Sequence, residues 1–426
     1  MLRAHRRCRS LFLALCTLFS PFAAAGLQAE TNWNRFRGEN GSGIVEHSNV
    51  PIPWTAEDTA WTQTLPGKGN GSPCVQSGKV FIQSADPKTA ERYVMAFDLA
   101  SGKELWRKSQ ASSVHPLHAR SSYASSTPCA NDKAVFASWG APDGVVIKAF
   151  THAGEELWTR NLGRYVSQHG FGGSPILYGN TLILLNSQDA QELPEGVAPG
   201  QTEVIALDVA SGETVWRTPR TTTRVCYGVP ALYKGSDGRD VLVMNETGDG
   251  FFGLDAKTGS PLWNRQAFTK RCVSSPLIVG NLIFGTEGSG GGGNILFAIN
   301  AARAQEIAFD IRSAAPYVPT PVARGNMLFL WADNGIVTAV ELPSGKTVAT
   351  KRIGGNVSSS PIIVGDKLIG IAEDGTLTVL SADSELKKLG EIKLGETTRS
   401  TPAATDQHLL VRTDSKLICV SAKQAK

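Results

Sequence analysis

Asp98-Leu99-Ala100-Ser101-Gly102-Lys103-Glu104-Leu105-Trp106 is the stretch that decides the fold, because the chain repeats it. Gly154-Glu155-Glu156-Leu157-Trp158 repeats its end, and Asp208 to Gly212 with Trp216, then Asp255 to Gly259 with Trp263, repeat it whole. Later copies decay: Glu341 to Gly345 ends at Ala349, and Ser381 to Leu389 keeps only the spacing. In such a turn the aspartate accepts local backbone N–H groups while the glycine takes the left-handed conformation. The tryptophan then falls in the strand that follows. Working outward, a Ser-, Thr- or Val-Pro step opens each unit, at Pro73, Pro128, Pro175, Pro230, Pro276, Pro321, Pro361 and Pro402, at intervals of 40 to 55 residues.

Between each proline and its closing turn lie β-rich runs, for example residues 80–84, 182–185, 328–331 and 368–371. Gly248-Asp249-Gly250, Asp333-Asn334-Gly335 and Glu373-Asp374-Gly375 carry hairpin turn chemistry. No segment sustains a helical period. Four short antiparallel strands per unit, repeated eight times, predict an all-β, eight-bladed β-propeller occupying 30–426 as one domain. The unit from Pro402 lacks an outer strand, whereas residues 60–65 form an outer strand without a blade. The N-terminal strand is therefore expected to complete the eighth blade and close the ring, leaving no open sheet edge. The repeated tryptophans read as wedges between neighbouring blades, since each buries ~150–250 Å².

The 426 residues carry 42 Lys+Arg against 38 Asp+Glu. Arg3, Arg6, Arg7 and Arg9 account for that whole excess, because residues 1–29 contain no other charged residue of these types. A neutral body excludes a protein that binds nucleic acid by broad phosphate neutralisation. Residues 1–29 read as a secretory signal peptide, cleaved after Ala29 or Ala25, with neither a lipid anchor nor a membrane span. The expected location is periplasmic or secreted, and the expected state a monomer. Five cysteines follow: Cys74 and Cys129 read as free, partly buried thiols, and Cys226–Cys272 is the one pairing worth testing.

The A-x-D-x-x-(S/T)-G-x-x-x-W repeats resemble the pyrroloquinoline-quinone (PQQ) repeat, over roughly residues 33–420. Arg35 to Gly43 (RFRGENGSG), Ser122 to Pro128 and His169 to Pro175 resemble exported bacterial PQQ-like propeller proteins. The resemblance implies the propeller fold and two functional classes. One is the BamB-like scaffold that offers surfaces to protein partners. The other is the PQQ- and calcium-dependent quinoprotein oxidoreductase acting on alcohols or sugars. Quinoprotein dehydrogenases carry an adjacent-cysteine disulfide and a calcium held by a Glu, an Asn and a catalytic Asp. This chain has no adjacent cysteines, and no calcium set matches residue by residue.

In a four-stranded blade the loop entering the blade and the second hairpin share one face. Residues shortly before each proline should thus ring one channel mouth. They include Tyr123 with the earlier His118 and Arg120, then His169, then Arg224 and Tyr227. Lys270 and Arg271, Tyr317, Asn356 and Arg399 continue the ring. Cationic and aromatic side chains around one concave opening suit an anionic small molecule, a carbohydrate or an acidic protein partner. The leading expectation is a non-catalytic exported binding or scaffold protein with no cofactor, no metal and no catalytic residues. The quinoprotein oxidoreductase is the alternative.

Overall fold

The computed structural model describes residues 31–422, so the signal peptide expected at 1–29 lies outside the described residues. The eight units form eight antiparallel four-stranded blades. Blade 1 runs Cys74–Gln76, Lys79–Ala85, Arg92–Asp98 and Glu104–Gln110 from the axis outward. Each unit proline immediately precedes the innermost strand, where its missing N–H removes no ladder bond. Blade 8 contributes Ala403–Ala404, His408–Arg412 and Lys416–Ser421, and Thr59–Thr64 supplies its outer strand with Trp61 opposite Cys419. The predicted closure holds. Arg412 adds a latch that the sequence did not advertise. Its guanidinium donates to Gly71 O (3.0 Å) and Gln83 O (2.6 Å) of blade 1.

The wedges follow from the turns. At Gly102, φ is +71°, and any Cβ would collide with the indole of Trp61 lying on it. Trp61 Nε1 donates to Leu99 O in the same turn at 2.9 Å. Trp106 and Trp158 repeat the contact on the next blade, donating to His152 O and Val209 O, both at 3.0 Å. Trp216 lies on Gly259 with its indole nitrogen unpartnered. Trp263 departs from the expected pattern. The next blade turns through Ala301 and Ala302 and has no glycine to cover. Its indole therefore lies over Gly253 of its own blade and donates to Tyr233 Oη at 3.1 Å. Phe309 takes the wedge place one blade on, against Gly345.

The outer strand of every blade carries a β-bulge at this point. The extra residue, as at Leu105, Leu157, Val215, Val348 and Leu389, is thrown outward and exposed. A bulged edge pairs poorly with another chain, so isolated aliphatics are tolerated there.

Around the axis the residue before the proline links its blade to the next at six of the eight junctions. Ser72 N donates to Thr127 Oγ1, Thr127 N to Ser174 Oγ, Val229 N to Ser275 Oγ and Ser275 N to Thr320 Oγ1, each at 2.9 Å. Thr320 N to Ser360 Oγ and Ser360 N to Thr401 Oγ1 continue the girdle at 2.9 Å. It breaks after Ser174, where Val229 offers no hydroxyl, and after Thr401, where the buried Ser72 Oγ has no partner. Thr320→Val should cost ~1–3 kcal/mol in urea unfolding, because the buried Ser275 N–H loses its acceptor. A loss below about 0.5 kcal/mol would show that the girdle is not a stabilising element.

The N-terminal segment closes one end of the channel. Trp33 pairs with Val75 of blade 1, and Asn34 O accepts Ala130 N of blade 2. Arg35 donates to Pro230 O at 2.6 Å, while Arg37 donates to Pro361 O at 2.6 Å and Pro321 O at 2.7 Å. Asn40 then clasps Leu232 through both backbone groups at 2.8 Å. Ile44–Val45 finally joins blade 7 as a parallel fifth strand. The channel is therefore a cup with a floor.

Candidate functional site

The opposite mouth opens into a cavity of about 380 Å³. Its floor is Phe36, a plug residue packed against the blade 3 and blade 4 core. Val229, Val273 and Val318, with the girdle hydroxyls, form the lower wall. Of the residues expected at the mouth, His118, Arg120, His169, Arg224, Tyr227 and Arg271 reach the wall, as do Tyr317 and Arg399. Three do not. Tyr123 turns aside, its hydroxyl donating to His115 O at 2.6 Å and its ring lying 4.6 Å from the Arg92 guanidinium. Lys270 is held by the carbonyls of Gly293 (2.8 Å) and Gly292 (3.3 Å) in the glycine-rich hairpin. Asn356 is exposed outside the cavity, its backbone carbonyl accepting Glu373 N.

Among the described residues the wall carries four arginines and two histidines, and no carboxylate lines it. Acids stand behind the cations and orient them. Glu373 holds Arg399 at 3.0 Å and approaches Arg120 at 3.8 Å. Asp189, fully buried, lies 3.9 Å from Arg271, and Glu192 pairs with Arg224. Charge is thus polarised, with donors facing the cavity and acceptors behind them. The loop carrying His169 and Phe171 is fixed by Gly170 O, which accepts Tyr165 Oη (3.3 Å), Tyr227 Oη (3.1 Å) and Ser167 Oγ (3.2 Å).

Arg271 Nη1 lies 3.0 Å from His169 Nε2, and His169 stacks on His118 with ring centroids 4.8 Å apart. Burial, then the Arg271 cation, press the His169 imidazole down to about 4. The neutral ring accepts from Arg271 at Nε2 and carries its proton on Nδ1. Because the folded value lies below the ordinary 6.5, the unfolded chain takes the proton first as pH falls. The stability from neutral His169 is full above about 6.5 and is lost as pH falls toward about 4. NMR titration should find His169 neutral at pH about 5.5; a midpoint near its ordinary value would contradict this environment.

Cys74 and Cys129, expected to be partly buried, are fully buried, because each faces the neighbouring blade from an innermost strand. Burial pushes both thiols up. Phe36 and the hydroxyl girdle were not among the expected site residues. The signal for the girdle was the Ser or Thr before seven of the eight unit prolines; that for Phe36 was its place between two arginines in a glycine-rich run.

The sequence profile described as outer membrane protein assembly factor BamB matches residues 54–168 and 200–307, more than half of the chain. The chain belongs to this family of PQQ-repeat propellers. It is 21% identical over 385 residues to outer membrane protein assembly factor BamB of Burkholderia pseudomallei (strain K96243), covering 78% of this chain and 92% of that protein. It is 29% identical over 170 residues to tetrathionate hydrolase of Acidithiobacillus ferrooxidans, covering 38% of this chain and only 29% of that protein's length. Among solved structures, a europium-containing methanol dehydrogenase superposes with TM-score 0.67 at 12% identity, covering 90% of each chain. That likeness is one of fold.

A calcium-assisted quinone would need several oxygen ligands, carboxylates among them, at the cavity surface. The lining offers guanidinium and imidazole groups instead, and no group of three or more His, Cys, Asp or Glu among the described residues could hold a metal ion. The residues present do not fit that pair.

Proposed function

We propose that this BamB-family propeller is an exported, non-catalytic binding protein whose cup holds an anionic group, carried by a small molecule, a carbohydrate or an acidic segment of a protein partner. The observation that carries the reading is the composition of the cup: four arginines on the wall, no carboxylate, and a closed floor at Phe36. Guanidinium forks match carboxylate and phosphate geometry. The arginines are already oriented by Glu373, Asp189 and Glu192, so less conformational freedom is lost when an anion arrives. The name of the relative that matches along most of its length, an assembly factor, supports a protein partner as the source of that group. In this reading the chain works as a monomer in the periplasm or outside the cell, without a nucleic acid.

Calorimetric titration with inorganic sulfate, citrate, an acidic oligosaccharide and an Asp/Glu-rich peptide tests the reading. Saturable binding should weaken as salt screens the cavity. Arg271→Met should weaken it at least tenfold, the loss of about 1.4 kcal/mol of a charge-assisted hydrogen bond. No binding by any of the four would overturn the reading. So would steady alcohol or sugar oxidation by the purified chain with PQQ and calcium, the outcome that a quinoprotein oxidoreductase requires.

A further inference from the structure

Two thiols behind the cup are not used by that reading. Cys226 and Cys272 each stand four residues before a unit proline, in consecutive blades. Equivalent points on adjacent blades diverge toward the rim but converge at the axis, and here the backbones touch. Tyr227 N donates to Cys272 O at 3.2 Å. That single bond ties the peptide after Cys226 to the carbonyl of Cys272, so the two backbones adjoin, as a disulfide with its ~7 Å limit on Cα separation requires. Both side chains lie in one buried cluster with Val243, Phe251 and Phe268. Cys226 Sγ lies 3.4 Å from Thr247 Oγ1 and 3.5 Å from Arg224 O, and Cys272 Sγ lies 3.9 Å from Lys270 O.

We infer that Cys226 and Cys272 are an oxidisable pair that closes to an interblade disulfide when the folding chain meets a disulfide donor. The Cys226 thiolate attacks one sulfur of the donor's disulfide, and the donor's other sulfur leaves as a thiolate. Cys272 then attacks the Cys226 sulfur of the mixed disulfide and displaces the donor. Two protons and two electrons pass from the pair to the donor, which ends as a dithiol. Either thiol can attack first while the chain is folding, with the same product; once the blades have closed the two thiols differ. Burial pushes the Cys226 thiol up, but hydrogen bonds from Cys272 and Thr247 outweigh it and bring it down to about 7. Cys272, buried and facing Cys226, Glu246 and Glu287, is held well above its ordinary value and keeps its proton. Resting on the proposed anion site, the cross-link has a second consequence. It joins the loop bearing Arg224 and Tyr227 to the one bearing Arg271, fixing two of the four guanidiniums.

The test does not depend on ligand binding, so its failure and the failure of the anion reading are separable. The full chain is made in an oxidising compartment, denatured without reductant, alkylated and peptide-mapped. The peptides holding Cys226 and Cys272 should emerge joined and unalkylated until reductant is added, while those holding Cys74 and Cys129 alkylate at once. In Cys272→Ser, Cys226 should alkylate at once as well, which excludes mere inaccessibility. Complete alkylation of both cysteines in the unreduced wild-type chain would overturn the inference, as would a Cys226 cross-link that persists in Cys272→Ser.

Discussion

Trp61→Ala should lower stability by ~3–5 kcal/mol, the usual cost of truncating a packed tryptophan. The residue lies near the start of the described chain, where a substitution ordinarily matters little. Its contacts say otherwise. The indole is buried against Gly102 of blade 1, and its Nε1 donates to Leu99 O at 2.9 Å. Its strand is the outer strand of blade 8, in register with Lys416 to Val420. Loss of the wedge therefore loosens the seam at which the ring closes. Trp216 provides the internal standard: its indole covers Gly259 in the same way, but its nitrogen has no partner. Trp61→Ala should thus depress the melting temperature at least as far as Trp216→Ala. Deleting residues 60–65 should do worse, because the exposed edge of Lys416–Ser421 is then free to pair with another chain. A Trp61→Ala melting temperature within about a degree of wild type would show that the N-terminal strand is not the clasp.

The seam was legible because it is one more instance of a repeat. A turn with Asp and Gly, a bulge and a wedge recur locally, so an outer strand without its blade and a blade without its outer strand identify each other. Trp263 shows where such reading stops. Its own motif is intact, and what displaces it is a missing glycine in the following blade, visible only once the two turns are known to face each other. The mouth behaves similarly. Loop position correctly brings Arg224, Arg271 and Arg399 together, because every blade enters from the same face. It does not say that Tyr123 will spend its hydroxyl on His115 O, or that Lys270 will be held by glycine carbonyls of its own blade's hairpin. The floor was least legible of all. Arg35 and Arg37 reach blade carbonyls 195 to 324 residues away in sequence, and no local period announces such partners.

That floor carries the other large effect. Arg37 is wholly buried and adopts φ +61°, a left-handed conformation rare outside glycine. Burial brings its guanidinium down to about 9, so it remains charged at neutral pH. Four carbonyls receive it: Pro361 O at 2.6 Å, Pro321 O at 2.7 Å, Gly41 O at 3.2 Å and Ser42 O at 3.3 Å. Arg37→Ala relieves the desolvation of the charge, which limits the net loss, but it strands those acceptors at ~1–3 kcal/mol each and leaves a cavity. The expected net cost is ~3–5 kcal/mol, comparable to breaking a buried ion pair. Arg37→Lys should recover little of it, because a single ammonium lacks the planar fork that spans two blades. Arg37→Gly should be less damaging than Arg37→Ala by ~1 kcal/mol, because glycine accepts the left-handed backbone without strain. Urea unfolding ranks the three variants, and limited proteolysis locates the damage: cleavage within residues 31–58 should precede any cut in the blades. Equal midpoints for wild type and Arg37→Ala would mean that the channel floor stands without its arginine, held by Trp33, Asn40 and Ile44–Val45 alone.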